Sequence, residues 1–563
     1  MKWVTMDFET SNSDINIEKG YTRVWLWDIY DPEEKLHITG DDIEYFFDEL
    51  FKMPSRILYS HNLKFDGSFI IAYLLKNGFF ISSDSRATGA INTLITDRLI
   101  WYTFTVHYCG KQYKFRDSAK KINGSLEKAA QSFKLPIRKG EIDYKKHRDK
   151  GYIPTTKEKQ YIHGDTEILA LILQYYYDND MTGMTNASDA MSTYKNIITK
   201  KGYNKFFPTI PKETDDFIRK SYKGGYCYLN PKHFNKELHN VYTYDVKSMY
   251  PSVMANLDLP YGIPIHYNGK YEYDSTFPLY IQQIRVDCKL KKGKIPSIQT
   301  KSFMTIKLNY LRDTNGEMRE LILTKPDLER LLEDYDIYEI KYIQGYKFLA
   351  SNSLFKKYVM HFYELKETSE KGAKRELYKI FLNSLYGKFA MMCERQQAYP
   401  TMDDGVMKFK RGEVEEVPPI YTAVASFITS WARKKLIDGI YANLDNFIYC
   451  DTDSMHLLTP AKDISLGKEL GDFDLENGKY IDGIPKTEIY LAKYLGQKCY
   501  MLCTEKGEIK KIAGAPDKVK EEININNFEI DFTSNPSEYP KYRMKNVDGG
   551  VLLIPTSFTI KAK

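Results

Sequence analysis

The sequence predicts a multidomain protein of the mixed α/β and α+β class. Its 563 residues exceed a single core, because domains usually run to roughly 100 to 200 residues. Short apolar strand-like runs alternate with helical stretches along the chain. A hydrophobic fraction of 42% with 28% charged residues excludes a disordered or collagen-like chain. We expect three to five structural units.

Composition also bears on location. No uncharged apolar run approaches the roughly 18 residues of a membrane span, and Asp7 and Glu9 interrupt the N-terminus before a secretory leader could form. The seven cysteines are scattered and include no C-x-x-C pair. We therefore expect a cytoplasmic protein with no membrane partner, no disulfide framework and no cysteine-based zinc site.

The N-terminal part is predicted to be α/β. The strand Trp3–Met6 runs into Asp7-Phe8-Glu9, and a second strand, 56–59, runs into a turn at His61-Asn62. Helices are predicted over 69–75 and 158–177. Small polar residues at 181–192 place a domain boundary near residue 185.

The remainder is predicted to contain two buried strands separated by stretches of different character. The strands are Val241–Asp245 and Phe447–Cys450. Residues 257–353 are rich in Pro, Gly and β-like runs, and 356–388 are helical and basic. A β-hairpin is predicted within 393–417, with turn signals at Asp403-Asp404-Gly405 and Arg411-Gly412.

The net charge, 81 − 75 = +6, says little about a partner, but its distribution says more. Residues 134–159 hold nine Lys or Arg against four acids, and 356–388 hold eight against four. Each stretch is either a solvated face or a phosphate-facing surface.

The motif Tyr449-Cys450-Asp451-Thr452-Asp453-Ser454, with two carboxylates two apart, directly follows the apolar pair Phe447-Ile448. On a β-hairpin, residues two apart share a face, so both acids are expected to converge. Converging carboxylates repel one another unless a cation lies between them, and Mg2+ with oxygen ligands meets that need.

Other residues complete this constellation. Asp245 ends the upstream apolar strand, and Lys379, Asn383 and Tyr386 fall on one face of a predicted helix. A cation, an amide, an aromatic ring and metal-binding carboxylates together suit a nucleoside triphosphate. This pattern indicates two-metal phosphoryl transfer.

A second constellation lies near the N-terminus. Asp7 and Glu9 share one side of a strand end, Asp66 supplies a third acid, and Tyr161 and Asp165 share a helical face. Four gathered acids need metal ions to coexist, and a two-metal nuclease is the natural use.

These motifs resemble those of the family B DNA polymerases, and most closely the protein-primed branch. The polymerase motifs are Asp245-x-x-Ser-Met-Tyr-Pro251, Lys379-x3-Asn-Ser-x-Tyr-Gly387 and Tyr449-x-Asp-Thr-Asp-Ser454. The branch-typical motifs are Tyr222-Lys-Gly-Gly-Tyr226, Thr429-Ser-Trp-Ala-Arg433 and Lys498-x-Tyr500.

The resemblance implies an RNase H-like 3′–5′ exonuclease domain joined to a right-hand polymerase with palm, fingers and thumb. The implied units are exonuclease 1–185, palm 186–256 and 418–520, fingers 354–390, thumb 521–563, and two insertions. The insertion 257–353 would contact the terminal protein, and the insertion 391–417 would provide processivity and strand displacement.

The resemblance also implies roles at the polymerase site. Asp245 and Asp453 would be catalytic metal ligands, with Asp451 assisting and Val246 as a further metal and nucleotide contact. Tyr250 would select deoxynucleotides, and the other nucleotide-binding residues would be Lys366, Lys379, Asn383 and Tyr386. Primer and template contacts are implied for Tyr222, Gly224, Gly225, Arg433, Lys498 and Tyr500.

At the nuclease site, Asp7, Glu9, Asp66 and Asp165 would hold the metal ions. Tyr161 would orient the attacking water and Lys139 would assist hydrolysis. The implied single-strand contacts are Thr10, His61, Asn62, Phe65, Phe69, Ser118 and Tyr144. By contrast, His456 is interpreted as a buried core histidine.

The expected activity is replicative, DNA-directed DNA synthesis with 3′–5′ proofreading, strand displacement and priming by a terminal protein in a heterodimer. The expected partners are template and primer DNA and deoxynucleoside triphosphates. The expected cofactors are two Mg2+ ions per site, with Mn2+ as an alternative. No obligatory clamp or helicase is expected. The alternatives are a conventionally primed family B polymerase and a non-catalytic DNA-binding scaffold that retains the fold.

Overall fold

The computed structural model describes residues 1–137, 140, 142–143, 146–148, 150–300 and 310–561. These residues form 27 strands and 15 α-helices. None of these helices is long and apolar enough to span a membrane. All seven cysteines are free thiols, as the scattered spacing predicted.

The N-terminal domain is built on one mixed sheet with strand order β3-β2-β1-β4-β8-β7-β6-β5. Strand β1 runs parallel to β4 and antiparallel to β2. Its elements are β1 (Trp3–Thr10), α1 (Asp14–Lys19), β2 (Val24–Asp31), β3 (Leu36–Gly40), α2 (Ile43–Lys52), β4 (Arg56–Ser60), α3 (Leu63–Lys76), β5 (Phe80–Ile81), β6 (Ala90–Ile95), β7 (Trp101–Tyr108), β8 (Lys111–Asp117), α4 (Leu126–Ser132) and α5 (Thr156–Asp178). Both predicted strands and both predicted helices are confirmed, with α3 and α5 longer than expected.

The sheet expected to form the palm has five antiparallel strands, in the order β20-β11-β19-β18-β9. Both buried strands predicted from sequence lie in it as β11 and β18. The elements leading into it are α6 (Asn186–Ile198), α7 (Lys200–Phe206), α8 (Lys212–Arg219), β9 (Cys227–Leu229), β10 (Glu237–His239), β11 (Tyr242–Val246) and α9 (Met249–Asn256).

The Pro- and Gly-rich stretch folds as a separate sheet with order β12-β15-β13-β14. Its core is a cluster of apolar side chains that includes Ile284, Val286 and Leu331. Its elements are β12 (Leu259–Asn268), β13 (Leu279–Leu290), β14 (Arg319–Thr324), α10 (Lys325–Asp334) and β15 (Tyr335–Ser351).

The basic stretch 356–388 is helical, as predicted, but it is not one helix. It forms α11 (Lys356–Thr368), α12 (Ala373–Ser384) and α13 (Tyr386–Phe389). Gly372, at φ 148°, separates the first two, because this backbone conformation is incompatible with a continuous helix. Helices α11 and α12 pack against each other.

The predicted hairpin is confirmed as β16 (Glu394–Asp403) and β17 (Val406–Glu416), with Asp404-Gly405 at its turn. The prediction of a second turn at Arg411-Gly412 is wrong, because both residues lie inside β17. The glycine serves packing, since a Cβ added to Gly412 would lie 2.4 Å from the Tyr399 ring on the opposite strand.

The C-terminal part completes the five-stranded sheet with β18, β19 and β20. It adds three further sheets, β10-β23-β24-β25 and the pairs β21-β22 and β26-β27. A separate apolar core that includes Met501, Val519 and Phe528 lies beneath β24. The elements are α14 (Thr422–Ala442), β18 (Phe447–Asp451), β19 (Ser454–Leu457), β20 (Phe473–Glu476), β21 (Gly478–Ile481), β22 (Ile484–Thr487), β23 (Ile489–Gly496), β24 (Cys499–Thr504), β25 (Gly507–Ile512), α15 (Asp517–Glu522), β26 (Lys541–Val547) and β27 (Gly550–Thr556).

Candidate active sites

The palm sheet brings Asp245 to the turn that carries the paired carboxylates. Asp245 lies opposite Ser454 in the β11–β19 register, and the Val246 N–H donates to the Asp453 carbonyl at 2.8 Å. Asp451 ends β18, whereas Asp453 lies in the following turn, where Thr452 has φ 65°. The prediction attributed the convergence of Asp451 and Asp453 to strand alternation, and this reason is wrong. The left-handed turn brings the two acids together.

Burial disfavours the ionised form of these acids. It raises the pKa of Asp245 to about 8, with further increases from Asp453 and Glu476. Burial, and then Asp451, raises the pKa of Asp453 to about 6. Carboxylates in this position are fully ionised only when positive charge lies beside them, and divalent cations with oxygen ligands supply it.

Asp451 is held differently from the other two acids. The Lys498 ammonium donates to both of its carboxylate oxygens, at 2.5 and 2.7 Å. The Lys498 backbone N–H donates to the Tyr449 hydroxyl at 2.9 Å. The structure thus brings the lysine of the Lys498-x-Tyr500 motif directly to the acidic turn, with Tyr500 lining the same cleft.

The loop 222–226 packs directly against this turn. The Thr452 N–H donates to the Tyr226 carbonyl at 2.7 Å. A Cβ added to Gly225 would lie 2.8 Å from Thr452 Oγ1, so a side chain at this position would displace one partner. The loop therefore fixes the position of the carboxylates.

Arg433, predicted to contact DNA, is buried beneath the same loop. Its guanidinium donates to the carbonyls of Lys223 and Gly224 at 2.9 and 2.8 Å. It also forms a 2.6 Å ion pair with Asp327 on α10. This arrangement supports a role in holding the loop, and a direct DNA contact stays a prediction.

Two tyrosines from distant parts of the chain meet beside the acids. The rings of Tyr250 on α9 and Tyr386 on α13 lie 4.3 Å apart between centroids. Burial raises the pKa of Tyr222, which is also influenced by Tyr386, to about 12. The three tyrosines are therefore neutral at physiological pH, and Tyr250 and Tyr386 form an aromatic wall.

The basic residues of α11 and α12, which are the predicted fingers, differ in placement. Lys366 Nζ donates to Ser248 Oγ at 3.4 Å and pairs with Glu367 at 2.9 Å, which brings it next to the Asp245 motif. Lys379 and Asn383 are exposed on α12. Their contact with a nucleotide stays a prediction.

Further charged residues that sequence reasoning missed line the same cleft, whose volume is about 650 Å³. Glu476 extends the acidic side, and burial raises its pKa. Lys510, Lys511 and Lys520 also line it. The spacing Asp474-x-Glu476 at the end of a strand was the available signal for the acid, but the lysines come from a hairpin and a helix that no motif marks.

The nuclease acids are brought together around β1. Asp7 and Glu9 lie on this strand, and the backbone of the intervening Phe8 is near enough to Asp66 on α3 to lower the pKa of its carboxylate. Helix α5, which packs on β1, carries Asp165 and Tyr161. Glu9, Asp66 and Asp165 are all buried.

Asp66 has the environment expected of a metal ligand in this second group of acids. Burial raises its pKa to about 7, against the hydrogen bond from Ser60 Oγ. Its buried Oδ1 has no hydrogen-bond partner among the residues that the structure describes. A buried carboxylate oxygen without a donor fits a metal ligand.

Residues predicted to contact single-stranded DNA lie next to these acids. His61 contacts Ser118 Oγ at 3.1 Å and the Gly124 carbonyl at 2.8 Å. Phe65 is partly exposed, whereas Phe69 is fully buried behind it at a centroid distance of 5.5 Å. Phe69 is therefore placed to support Phe65.

Of four further predicted residues, the structure describes two. Thr10 ends β1, and Asn62 has a left-handed backbone with φ 70°, its N–H donating to Asp117 Oδ1 at 3.0 Å. Lys139 and Tyr144 lie outside the described residues. Gly140, however, is described, and a Cβ added there would lie 3.2 Å from the Tyr161 ring.

The interpretation of His456 is confirmed. The residue is buried and its Nδ1 contacts the Tyr494 hydroxyl at 2.8 Å. Burial lowers its pKa to about 3, so it is neutral at physiological pH.

Comparison with known proteins agrees with this arrangement. The family model described as DNA polymerase type B, organellar and viral, matches residues 48–159 and 146–465. The DNA polymerase of Bacillus phage phi29 is 38% identical, with 100% of this chain and 99% of that protein covered. The DNA polymerase of Streptococcus phage Cp-1 is 34% identical over 90% of this chain and 87% of that one.

The fold agrees over the same extent. The structure of phi29 DNA polymerase complexed with primer–template DNA superposes with a TM-score of 0.91, at 36% identity and with 100% of both chains covered. The phi29 complex with primer–template DNA and incoming nucleotide substrates gives 0.89. With an exonuclease-type sheet, a palm and both acidic clusters in place, the chain belongs to the type B DNA polymerases of organelles and viruses, within their protein-primed branch.

Proposed function

We propose that the palm cleft extends DNA strands and that the acids around β1 remove 3′-terminal nucleotides. The protein is a replicative DNA polymerase of the protein-primed, strand-displacing kind with proofreading, and its catalysis depends on divalent metal ions. Its partners are DNA and deoxynucleoside triphosphates, as in the phi29 complexes. The observation that carries the assignment of the palm site is the junction of β11 with the acidic turn.

At the palm site, Asp245 and Asp453 would hold two Mg2+ ions, with the Val246 carbonyl as a further ligand and Mn2+ as an alternative ion. Such ions activate the attacking hydroxyl and stabilise the leaving phosphate oxygen. Asp451, held by Lys498, would keep the turn in place near the primer end. Glu476 adds negative charge beside them.

The nucleotide would bind between the acids and the fingers. Lys366 and Lys379 would bind the triphosphate, and Asn383 would line the same face of α12. The ring of Tyr250, packed on Tyr386, would lie beneath the deoxyribose and exclude a 2′-hydroxyl. The loop with Tyr222, Gly224 and Gly225, held by Arg433, would guide the template.

At the nuclease site, Asp7, Glu9, Asp66 and Asp165 would be the metal ligands. Tyr161 would orient the attacking water, assisted by Lys139. Thr10, His61, Asn62 and Phe65 would bind the frayed strand, backed by Phe69 and Ser118, with Tyr144 as a further contact.

We assign the remaining units by the same reasoning. The sheet within 257–353 would contact a terminal protein whose hydroxyl replaces the primer 3′-hydroxyl. The hairpin within 391–417 would keep the enzyme on DNA, without an obligatory clamp or helicase. The exonuclease would be residues 1–185, the palm 186–256 with 418–520, the fingers 354–390 and the thumb 521–563. The protein would act in the cytoplasm of the host cell.

Separation of the two sites tests this assignment. Asp453→Ala is expected to reduce primer extension roughly a hundredfold or more, because metal ligation contributes several kcal/mol to the transition state. Degradation of single-stranded DNA should persist in this variant. Asp7→Ala combined with Asp66→Ala should have the opposite effect. Loss of both activities in either folded variant would contradict the separation.

A further inference from the structure

Helix α5 carries a second polar face besides that of the nuclease acids. His163 and Glu167 lie four residues apart on it and therefore share a face. Asp165 lies two residues from each, which turns it roughly 200° around the helix axis. The face with His163 meets β2 and β3, away from the predicted DNA site.

On that face three potential metal ligands converge. The carboxylate of Asp28 on β2 is fully buried, and its Oδ2 lies 2.8 Å from Nδ1 of His37 on β3. Its Oδ1 lies 3.6 Å from Nε2 of His163. One ligand atom from each residue lies within 4.8 Å of the other two.

A surrounding shell orients these three residues. His37 Nε2 lies 2.9 Å from Glu167 Oε1, which resembles the carboxylate–histidine–metal arrangement of natural sites. Thr166 Oγ1 donates to Asp28 Oδ2 at 2.6 Å, and Thr39 Oγ1 donates to Asp28 Oδ1 at 2.9 Å. The carboxylate is thus fixed in place from three sides.

We propose that Asp28, His37 and His163 bind one divalent transition-metal ion of the Zn2+ type. Zn2+ lies about 2.0 to 2.1 Å from nitrogen and oxygen ligands, so tetrahedral ligand atoms are separated by roughly 3.4 Å. The separation of 3.6 Å between Asp28 and His163 is close to this value. The ion replaces the hydrogen bond between Asp28 and His37.

Binding requires the two imidazoles to move, and it replaces the 2.9 Å contact between Thr39 Oγ1 and His163 Nε2. The rings of His37 and His163 are stacked at 3.9 Å, and their nitrogens must turn toward a common point. Their side chains are 18% and 30% exposed, so solvent can reach the site. Water completes the coordination.

The donor set separates this site from the catalytic ones. Mg2+ prefers oxygen ligands and retains water, whereas two imidazoles favour Zn2+ and its neighbours in the first transition row. The palm and nuclease acids offer only oxygen. An excess of Mg2+ therefore occupies those sites and leaves the histidine site to Zn2+.

Occupation of the site has a structural consequence. The ion connects β2, β3 and the helix that carries Asp165 and Tyr161. Because it binds the folded domain and not the unfolded chain, it stabilises the fold by mass action. Saturating Zn2+ is expected to raise the melting temperature of the N-terminal domain.

Calorimetric titration with Zn2+ tests the proposal, on protein that has been stripped of transition metals and is kept in excess Mg2+. We expect one equivalent to bind, and His37→Gln and His163→Gln each to abolish it. Glu167→Gln should weaken binding about 10- to 100-fold, because it removes the orienting carboxylate. His361→Gln, which changes an exposed histidine of α11, is the matched control and should bind Zn2+ normally.

The melting temperature of each variant in Mg2+ alone, without Zn2+, distinguishes a loss of folding from a loss of Zn2+ binding. A variant that melts like the parent protein without Zn2+, but shows no Zn2+-dependent shift, supports the site. Absence of Zn2+ binding to the parent protein overturns the proposal. Full binding by a folded His163→Gln variant also overturns it.

Discussion

The absence of a side chain at Gly225 lets its loop pack tightly against the acidic turn of the proposed polymerase site. The loop that contains it closes over the acidic turn through the hydrogen bond between the Thr452 N–H and the Tyr226 carbonyl. The space that a Cβ at position 225 would need is already filled by the Thr452 side chain, 2.8 Å away. Loop and turn must therefore move together.

Gly225→Ala is expected to slow nucleotide incorporation by roughly 5- to 100-fold, because overpacking of a tight contact costs about 1–3 kcal/mol. Single-nucleotide extension kinetics measure this effect, and exonuclease activity on single-stranded DNA should be unchanged. Gly202→Ala on α7 is the control, since its Cβ would make only an ordinary contact 3.4 Å from Thr199 Oγ1. Equal extension rates in both variants would show that the contact is unimportant.

Glu158 anchors the start of the helix that carries Asp165. Its carboxylate accepts hydrogen bonds from Arg148 at 2.9 Å, Tyr152 at 2.8 Å and the Thr155 N–H at 2.8 Å. Burial opposes ionisation, but these bonds outweigh it and lower the pKa of Glu158 from its ordinary 4.5 to about 2. The ionised carboxylate is thus the form that the fold stabilises.

A lowered pKa in the folded state gives stability that is present above pH 4.5 and lost as the pH falls toward 2. Glu158→Gln should therefore lower the melting temperature of the N-terminal domain at neutral pH, because it leaves buried Arg148 without its anion. The difference from the parent protein should shrink below about pH 4.5. Glu127→Gln, which replaces an exposed acid of α4, should leave the melting temperature unchanged at every pH. A pH-independent difference would assign the effect to packing.

At the scale of elements, the hairpin β16–β17 joins two distant parts of the molecule. On one side, the Asp97 N–H donates to the Gln396 carbonyl at 2.9 Å. On the other, Asn546 Nδ2 of β26 donates to the Met407 carbonyl at 2.8 Å. Helix α3 in turn packs on β27, so the N-terminal domain, the hairpin and β26–β27 form a closed series of contacts.

Replacement of 394–416 by a short Gly-Ser turn tests the role of this hairpin. Its ends are already adjacent, since the Val417 N–H donates to the Cys393 carbonyl at 2.7 Å. We expect short-primer extension to persist, but products formed in a single binding event to become much shorter. Measurement on a primed single-stranded circle with a DNA trap distinguishes the two effects. Unchanged product length would exclude a role in processivity.

Much of the secondary structure could be predicted because local patterns determine it. The apolar run before Asp451 marks β18, and helical spacing marks α5. The Arg411-Gly412 prediction failed because glycine there accommodates the Tyr399 ring across the hairpin, and such a long-range contact leaves no local signal. Lys510 and Lys520 were missed for the same reason.

At the scale of the whole molecule, the two catalytic regions are connected by buried contacts. Lys121 of the N-terminal domain pairs with Asp189 on α6 at 2.9 Å, and both side chains are buried. Arg433 similarly joins the palm loop to α10 through Asp327. The motifs identified both sets of acids, but they did not indicate which charged residues join the units, because ion pairs between distant residues have no characteristic spacing.

In the function proposed above, the sheet formed by β12 to β15 contacts the terminal protein, and the palm cleft supplies the site at which synthesis begins. A serine, threonine or tyrosine hydroxyl is an alcohol nucleophile like a primer 3′-hydroxyl, so the same carboxylates can serve both reactions. Incubation with the cognate terminal protein and one labelled deoxynucleotide should transfer label covalently to that protein. Asp453→Ala should abolish transfer, whereas the Asp7→Ala, Asp66→Ala variant should retain it. If the cognate partner receives no label while DNA primers are extended normally, initiation requires a conventional primer.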